Sequence, residues 1–118
     1  MKRFLVIEDE AFILDMIKAS LLKIFPQASI DHACELDGAI QHLNSKKYDL
    51  IVLDGTLKDG HHGREILSIM SGENITKTAV YSGEIKFLCE CQNRNMLTFS
   101  KTSSFEEVLT KINKKLSL

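Results

Sequence analysis

Two short apolar runs in this chain stop abruptly on acids. Phe4-Leu5-Val6-Ile7 ends in Glu8-Asp9-Glu10, and Leu50-Ile51-Val52-Leu53 ends in Asp54, followed by a glycine-rich stretch to Gly63. Apolar runs this short, without alternation, read as strands buried on both faces. In an open parallel sheet, ligands bind beyond the carboxyl ends of the strands. If the two runs are neighbours, Glu8, Asp9 and Asp54 converge at one sheet edge. Like charges that close either raise a carboxyl pKa or hold a cation. An all-oxygen ligand set suits a hard ion, and Mg²⁺ commonly takes carboxylates, water and a phosphate oxygen. The expectation is a Mg²⁺ site that receives a phosphoryl group.

The rest of the chain keeps the same rhythm. After the strand at 2–7, residues 11–25 carry apolar residues at Phe12, Ile13, Met16, Ile17, Leu21 and Ile24, and Pro26, the only proline, closes the segment. That spacing predicts a one-sided helix. Glu10 is the acid expected to serve this helix's N-terminus. A less apolar strand at 29–33 suits a sheet edge, and a helix follows at 36–45 with Ala39, Ile40 and Leu43 inward. Beyond Asp54 come a helix at 63–70, a strand at 78–82, a helix at 85–92 with Ile85, Leu88 and Cys89 on one face and Phe87 next to it, and a strand at 96–100. A last helix carries Phe105, Val108, Leu109 and Ile112, with Ser103 or Ser104 as its cap and Glu106 and Glu107 in its first turn. Five strand–helix cycles predict a flavodoxin-like, doubly wound α/β sandwich with a parallel sheet in the order 2-1-3-4-5. Its switch point falls between the two strands that end in acids.

Composition narrows the function. A length of 118 residues suits one domain spanning 1–118. A net charge of −1 offers no basic excess for nucleic acid. No apolar run reaches a membrane-spanning length and no secretion signal opens the chain, so a cytoplasmic protein is expected. Three cysteines, Cys34, Cys89 and Cys91, lack the spacing of a zinc or redox motif and read as reduced thiols. His61-His62 reads as a solvated loop pair, since adjacent residues cannot chelate as a helical i, i+4 pair does. Lys77, Lys86, Lys111, Lys114 and Lys115 read as scattered surface charge.

Two further strand ends complete the candidate site: Ser82 closes the fourth strand and Lys101 the fifth. A lysine beside an acid cluster offsets charge on phosphoryl oxygens, and a hydroxyl donates a hydrogen bond to them. With these residues, the chain resembles the receiver domain of two-component response regulators over essentially its whole length. The resemblance lies in Val6-Ile7-Glu8-Asp9-Glu10, Leu50 to Asp54, Leu57 with Asp59-Gly60 and Gly63, Ala79 to Gly83, and Phe99-Ser100-Lys101. It implies that Asp54 accepts the phosphoryl group. Glu8, Asp9, Asp54 and the Thr56 carbonyl would hold Mg²⁺, Ser82 would be the switch hydroxyl and Lys101 the phosphate-facing lysine. It implies a histidine kinase or a histidine phosphotransfer protein as donor. An effector would dock on the face made by the helix at 85–92, the strand at 96–100 and the last helix. The chemistry is stoichiometric signalling rather than enzymatic turnover.

The chain also departs from the family. Lys58 and Thr102 stand where proline is usual, the loop to Gly63 is one residue longer, and Thr98 replaces the usual switch aromatic, with Phe99 beside it. The acceptor chemistry is complete and the readout altered. These departures motivate the alternative of a degenerate pseudo-receiver, a constitutive interaction module. Asp54-Gly55-Thr56 also resembles the end of the haloacid-dehalogenase signature, but the nucleophile position there would be Val52, which cannot attack phosphate. A flavin protein is disfavoured by the lack of a phosphate-cradling loop after the first strand.

Overall fold

Strand and helix alternate along the computed structural model, which describes residues 1–118, except after the third strand, where two helices follow in succession. In chain order these are β1 (Arg3–Ile7), α1 (Ala11–Ile24), β2 (Ser29–Ala33), α2 (Leu36–Ser45), β3 (Leu50–Leu53) and α3 (Gly63–Ile69). Then come α4 (Gly72–Thr76), β4 (Thr78–Ser82), α5 (Ile85–Gln92), β5 (Leu97–Ser100) and α6 (Phe105–Leu116). The five strands form one parallel sheet in the order β2-β1-β3-β4-β5, the flavodoxin-like order the sequence predicts. Register aligns Ile7 with Leu53, so the acids that follow leave the sheet side by side.

The pleat divides the sheet's side chains between two apolar layers. Leu5, Ile7, Ile51, Leu53 and Val80 pack under α2, α3 and α5. Phe4, Val6, Leu50, Val52, Ala79 and Tyr81 pack under α1 and α6. Every residue of β3 is buried, as a strand covered on both faces requires. Each fully buried Leu, Ile or Phe contributes about 1.5–3 kcal/mol, so this double core dominates the stability.

Several local expectations are corrected. In α1 the buried residues are Ile17, Ser20 and Leu21, while Phe12 is 78% exposed and Ile24 44% exposed. Phe12 lies in the first turn, beyond the reach of the layer below. Glu10 holds the N-cap position, but its side chain accepts no capping bond. In α5 the inward residues are Phe87 and Cys91 with Leu88 beside them; Ile85 and Cys89 face solvent. The short helix α4 has no counterpart in the sequence reading, because five residues with no buried position carry no periodic signal. Ser104 caps α6 through the Glu107 N–H, as expected. No helix is long and apolar enough to cross a membrane.

Candidate functional site

The carboxyl edge of the sheet gathers the residues singled out by the sequence. Glu8 and Asp54 are both buried, Asp9 is half-buried, and oxygens of all three lie within 4.8 Å of one another. Lys101, carried in from the end of β5, reaches across them. Its Nζ lies 3.0 Å from Glu8 Oε1 and 3.3 Å from Asp54 Oδ1. Asp54 is held from behind by its neighbour: the Gly55 N–H donates to Oδ1 at 2.7 Å. Gly63 is required here, because a Cβ on it would stand 2.3 Å from the Asp54 carbonyl oxygen.

One cation among three carboxylates leaves the cluster over-acidic. Burial pushes the Glu8 carboxyl up to about 8, and the nearby Asp54 pushes the same way against Lys101. Burial also raises Asp54, opposed by Glu8 and Lys101. Asp9, less enclosed, stays below its ordinary value: burial opposes ionisation, but hydrogen bonding to Asp54 and Glu8 outweighs it. Lys101 loses solvation yet is held above its ordinary value by Glu8 and Asp54. Near neutral pH the buried pair therefore retains a proton that a divalent cation would displace.

Around the acids lies a cleft of about 270 Å³ lined by Asp9, Asp54, Thr56, Ser82, Glu84 and Lys101, among others, and by no apolar residue. The donor set fits a hard cation. It is all oxygen and closely spaced, and Thr56, whose carbonyl accepts no backbone hydrogen bond, lines the same cleft. Ser82 is buried at the cleft wall, and its Oγ accepts the Glu84 N–H at 3.0 Å.

Glu84 and His62 were not anticipated as parts of this site. Glu84 Oε2 lies 2.9 Å from His62 Nε2 and 3.3 Å from Thr56 Oγ1, so its carboxylate straps the loop after β3 to the start of α5. His62 Nδ1 accepts the Arg64 N–H, which leaves Nε2 to carry the proton toward Glu84. The ring also meets Phe87 edge-on at 4.7 Å. His62 is thus a structured N-cap of α3, not a solvated loop residue, while His61 pairs at the surface with Glu65. The one sequence signal for Glu84 was its place two residues past Ser82, at a helix start.

The departures resolve physically. The longer loop closes as a turn, with Gly60 at φ +86° and Asp59 accepting both the Leu36 and His61 N–H groups. Lys58 donates its N–H to the Cys34 carbonyl, a bond that proline would lack. Thr98 lies half-buried on β5, and Phe99 packs into the opposite layer under α6. An aromatic one position along a strand faces the other side of the sheet, so Phe99 does not fill the place of the missing ring.

No protein-family model and no curated protein sequence matches the chain. Solved structures do. The signal receiver domain of a DNA-binding response regulator from Colwellia psychrerythraea 34H superposes with a TM-score of 0.83 at 21% identity, covering 100% of both chains. A CheY-like receiver domain protein from Methanospirillum hungatei JF-1 gives 0.81 at 21% identity, over 99% of this chain and 94% of that one. The response regulator TrrA from Thermotoga maritima, solved in complex with Mg²⁺ and BeF, gives 0.77 at 24% identity, over 97% of this chain and 98% of that one. With its five parallel strands in the 2-1-3-4-5 order and its acids at the switch point, the chain has the fold of response-regulator receiver domains.

Proposed function

We propose that this chain is a phosphorylatable receiver, and that Asp54 takes a phosphoryl group from a histidine kinase or a histidine phosphotransfer protein in a Mg²⁺-dependent reaction. The observation that carries this reading is the Lys101 ammonium bridging Glu8 and Asp54 in a buried acid cluster, with Ser82 on the same cleft wall. A purely structural role for Glu8 and Asp54 would not need two buried carboxylates beside one lysine, since buried charge is costly unless it serves a site.

In the proposed step, Asp54 attacks phosphorus through a carboxylate oxygen, forming an acyl phosphate as the phosphorus–nitrogen bond to the donor imidazole breaks. The departing imidazole keeps the bond's electron pair and takes a proton. Lys101, already within reach of Asp54, offsets charge on the phosphoryl oxygens. Ser82 exchanges its bond with the Glu84 N–H for one to the phosphoryl group. Glu8, Asp9, Asp54 and the Thr56 carbonyl would hold Mg²⁺, which when bound neutralises negative charge between phosphoryl and carboxylate oxygens. One phosphoryl group is taken per chain, so the role is a stoichiometric switch of protein–protein interactions rather than an enzyme's.

The test is intact-protein mass after incubation with acetyl phosphate, with and without Mg²⁺. A Mg²⁺-dependent adduct in wild type that disappears in Asp54→Ala is the expected result. The environment of Thr98 and Phe99 favours one second reading, a degenerate receiver that binds partners constitutively. Mg²⁺ binding without an adduct from either acetyl phosphate or a phosphorylated histidine donor would support that reading instead.

A further inference from the structure

The two edges of the sheet are finished differently. On β2, Asp31 places charge on the edge strand itself, where it accepts from Lys46 Nζ at 3.0 Å and from the Tyr48 hydroxyl at 2.7 Å. Charge on an edge strand discourages another strand from pairing there. β5, at the other edge, is Leu97-Thr98-Phe99-Ser100, with neither charge nor proline. The Lys101 N–H points inward to the Ser82 carbonyl. Successive groups along a strand alternate, so the Thr98 N–H and C=O and the Ser100 N–H face the open side.

Beside this edge runs a groove of about 780 Å³ between the end of α5 and α6. Its floor includes Leu97 and Phe99, and its α6 wall carries Lys111, Lys114 and Lys115; no acid lines it. All three lysines are exposed and none has an ion-pair partner, whereas Lys23, Lys46 and Lys77 each have one and Lys101 has two. These lysines, which read as scattered in the sequence, converge on one groove of a chain whose net charge is −1.

We infer that this groove binds an acidic, extended segment of a partner protein, which adds as a strand to the free edge of β5. This deepens the receiver reading, which already implies effector docking on the face of α5, β5 and α6 and on which the choice of an effector rests, by giving the docking segment its charge and conformation. Backbone pairing to Thr98 and Ser100 supplies direction, and the side chains that the added strand turns toward α6 are of two kinds: apolar ones cover Leu97 and Phe99, and carboxylates meet the three lysines on the same side of the sheet. A second copy of this chain is a poor occupant. A twofold contact would bring the same lysines together with no acid in either groove to meet them. Nucleic acid would answer the lysines but leave an apolar, hydrogen-bonding strand edge unmatched.

The test titrates the ¹⁵N-labelled full chain with a short peptide of glutamate and valine in alternating pairs, which gives each face of the strand both kinds of side chain, with its lysine–valine counterpart, and with oligothymidylate. The glutamate–valine peptide is expected to shift the Thr98 and Ser100 amides and slow their hydrogen exchange. Lys111→Gln, Lys114→Gln and Lys115→Gln together should weaken it by about tenfold or more, as three lost exposed charge pairs imply. N-methylation of the peptide amides that face β5 should abolish binding. Lack of shifts at Thr98 and Ser100, indifference to N-methylation, equal binding of the lysine–valine peptide, or preference for oligothymidylate would each overturn the inference. No phosphodonor is present in this titration, so peptide binding is read separately from phosphorylation. A chain that binds the peptide yet forms no acyl phosphate would therefore sink the receiver reading alone, and the converse result would sink only the groove.

Discussion

The middle of the sheet and its β5 edge obey different constraints. β3 is buried along its whole length, whereas every residue of β5 is only half-buried. On β1 after Arg3, and along all of β3, every residue is buried in one layer or the other and fixed by the register, so Glu8 and Asp54 can emerge at one place only. On β5 one flank is open, so Thr98 is held by packing on fewer sides. The difference teaches that the proposed acceptor residues sit on over-determined backbone, while the proposed partner-facing edge sits where packing constrains the chain least.

The sharpest way to break this comparison is to cut the centre. Leu53→Ala removes a fully buried side chain just before Asp54. It should cost about 2–5 kcal/mol in denaturant unfolding. A loss below that range would mean the centre is not over-determined. Next comes Gly63→Ala, whose new Cβ meets the Asp54 backbone rather than a yielding side chain. About 1–3 kcal/mol of destabilisation is expected from such overpacking, together with weaker Mg²⁺ binding in calorimetry. Gly55→Ala meets the flexible end of Glu84 instead and should lose the His62 strap before it loses the fold.

Acidity gives the third contrast. The Glu8 carboxyl is raised from 4.5 to about 8, so the folded chain holds a proton that the unfolded chain releases. Stability of the metal-free protein should therefore fall as pH rises across that interval. Mg²⁺ affinity should move oppositely, rising by up to about tenfold per pH unit while one proton is displaced. Calorimetry in buffers of different ionisation enthalpy would count that proton. An affinity flat between those pH values would show that Glu8 is not a ligand. The smallest effect is expected at the open edge, where Thr98→Ala should change stability by less than about 0.5 kcal/mol. A larger loss would give β5 a structural weight that its half-burial does not suggest.

Much of this was legible in the sequence because apolar runs that end on acids leave few alternatives. Glu8, Asp9, Asp54, Ser82 and Lys101 could be placed by strand order alone, since strands fix where their ends emerge. Phe12 and Ile85 were misplaced because helical periodicity sets a face but not how far the first turn overhangs the layer beneath. Cys91 faces in where Cys89 was expected, a shift of about half a helical turn that a helix of eight residues does not pin down from sequence. The Glu84–His62 strap joins two loops across 22 residues, and loop-to-loop contacts leave no periodic trace.

The last turn of α6 has a consequence for encounters in solution. Because α6 runs back from the carboxyl end of β5, Lys114 and Lys115 lie toward the end of the molecule opposite Glu8, Asp9 and Asp54. A chain with a net charge of −1 then carries its acid cluster toward one end and three unpaired lysines toward the other. Two partners of opposite sign would be turned to opposite ends before contact, and both could approach at once. That orienting torque acts on association rates and fades once the Debye length drops well below the size of the protein, at about 3 Å in molar salt.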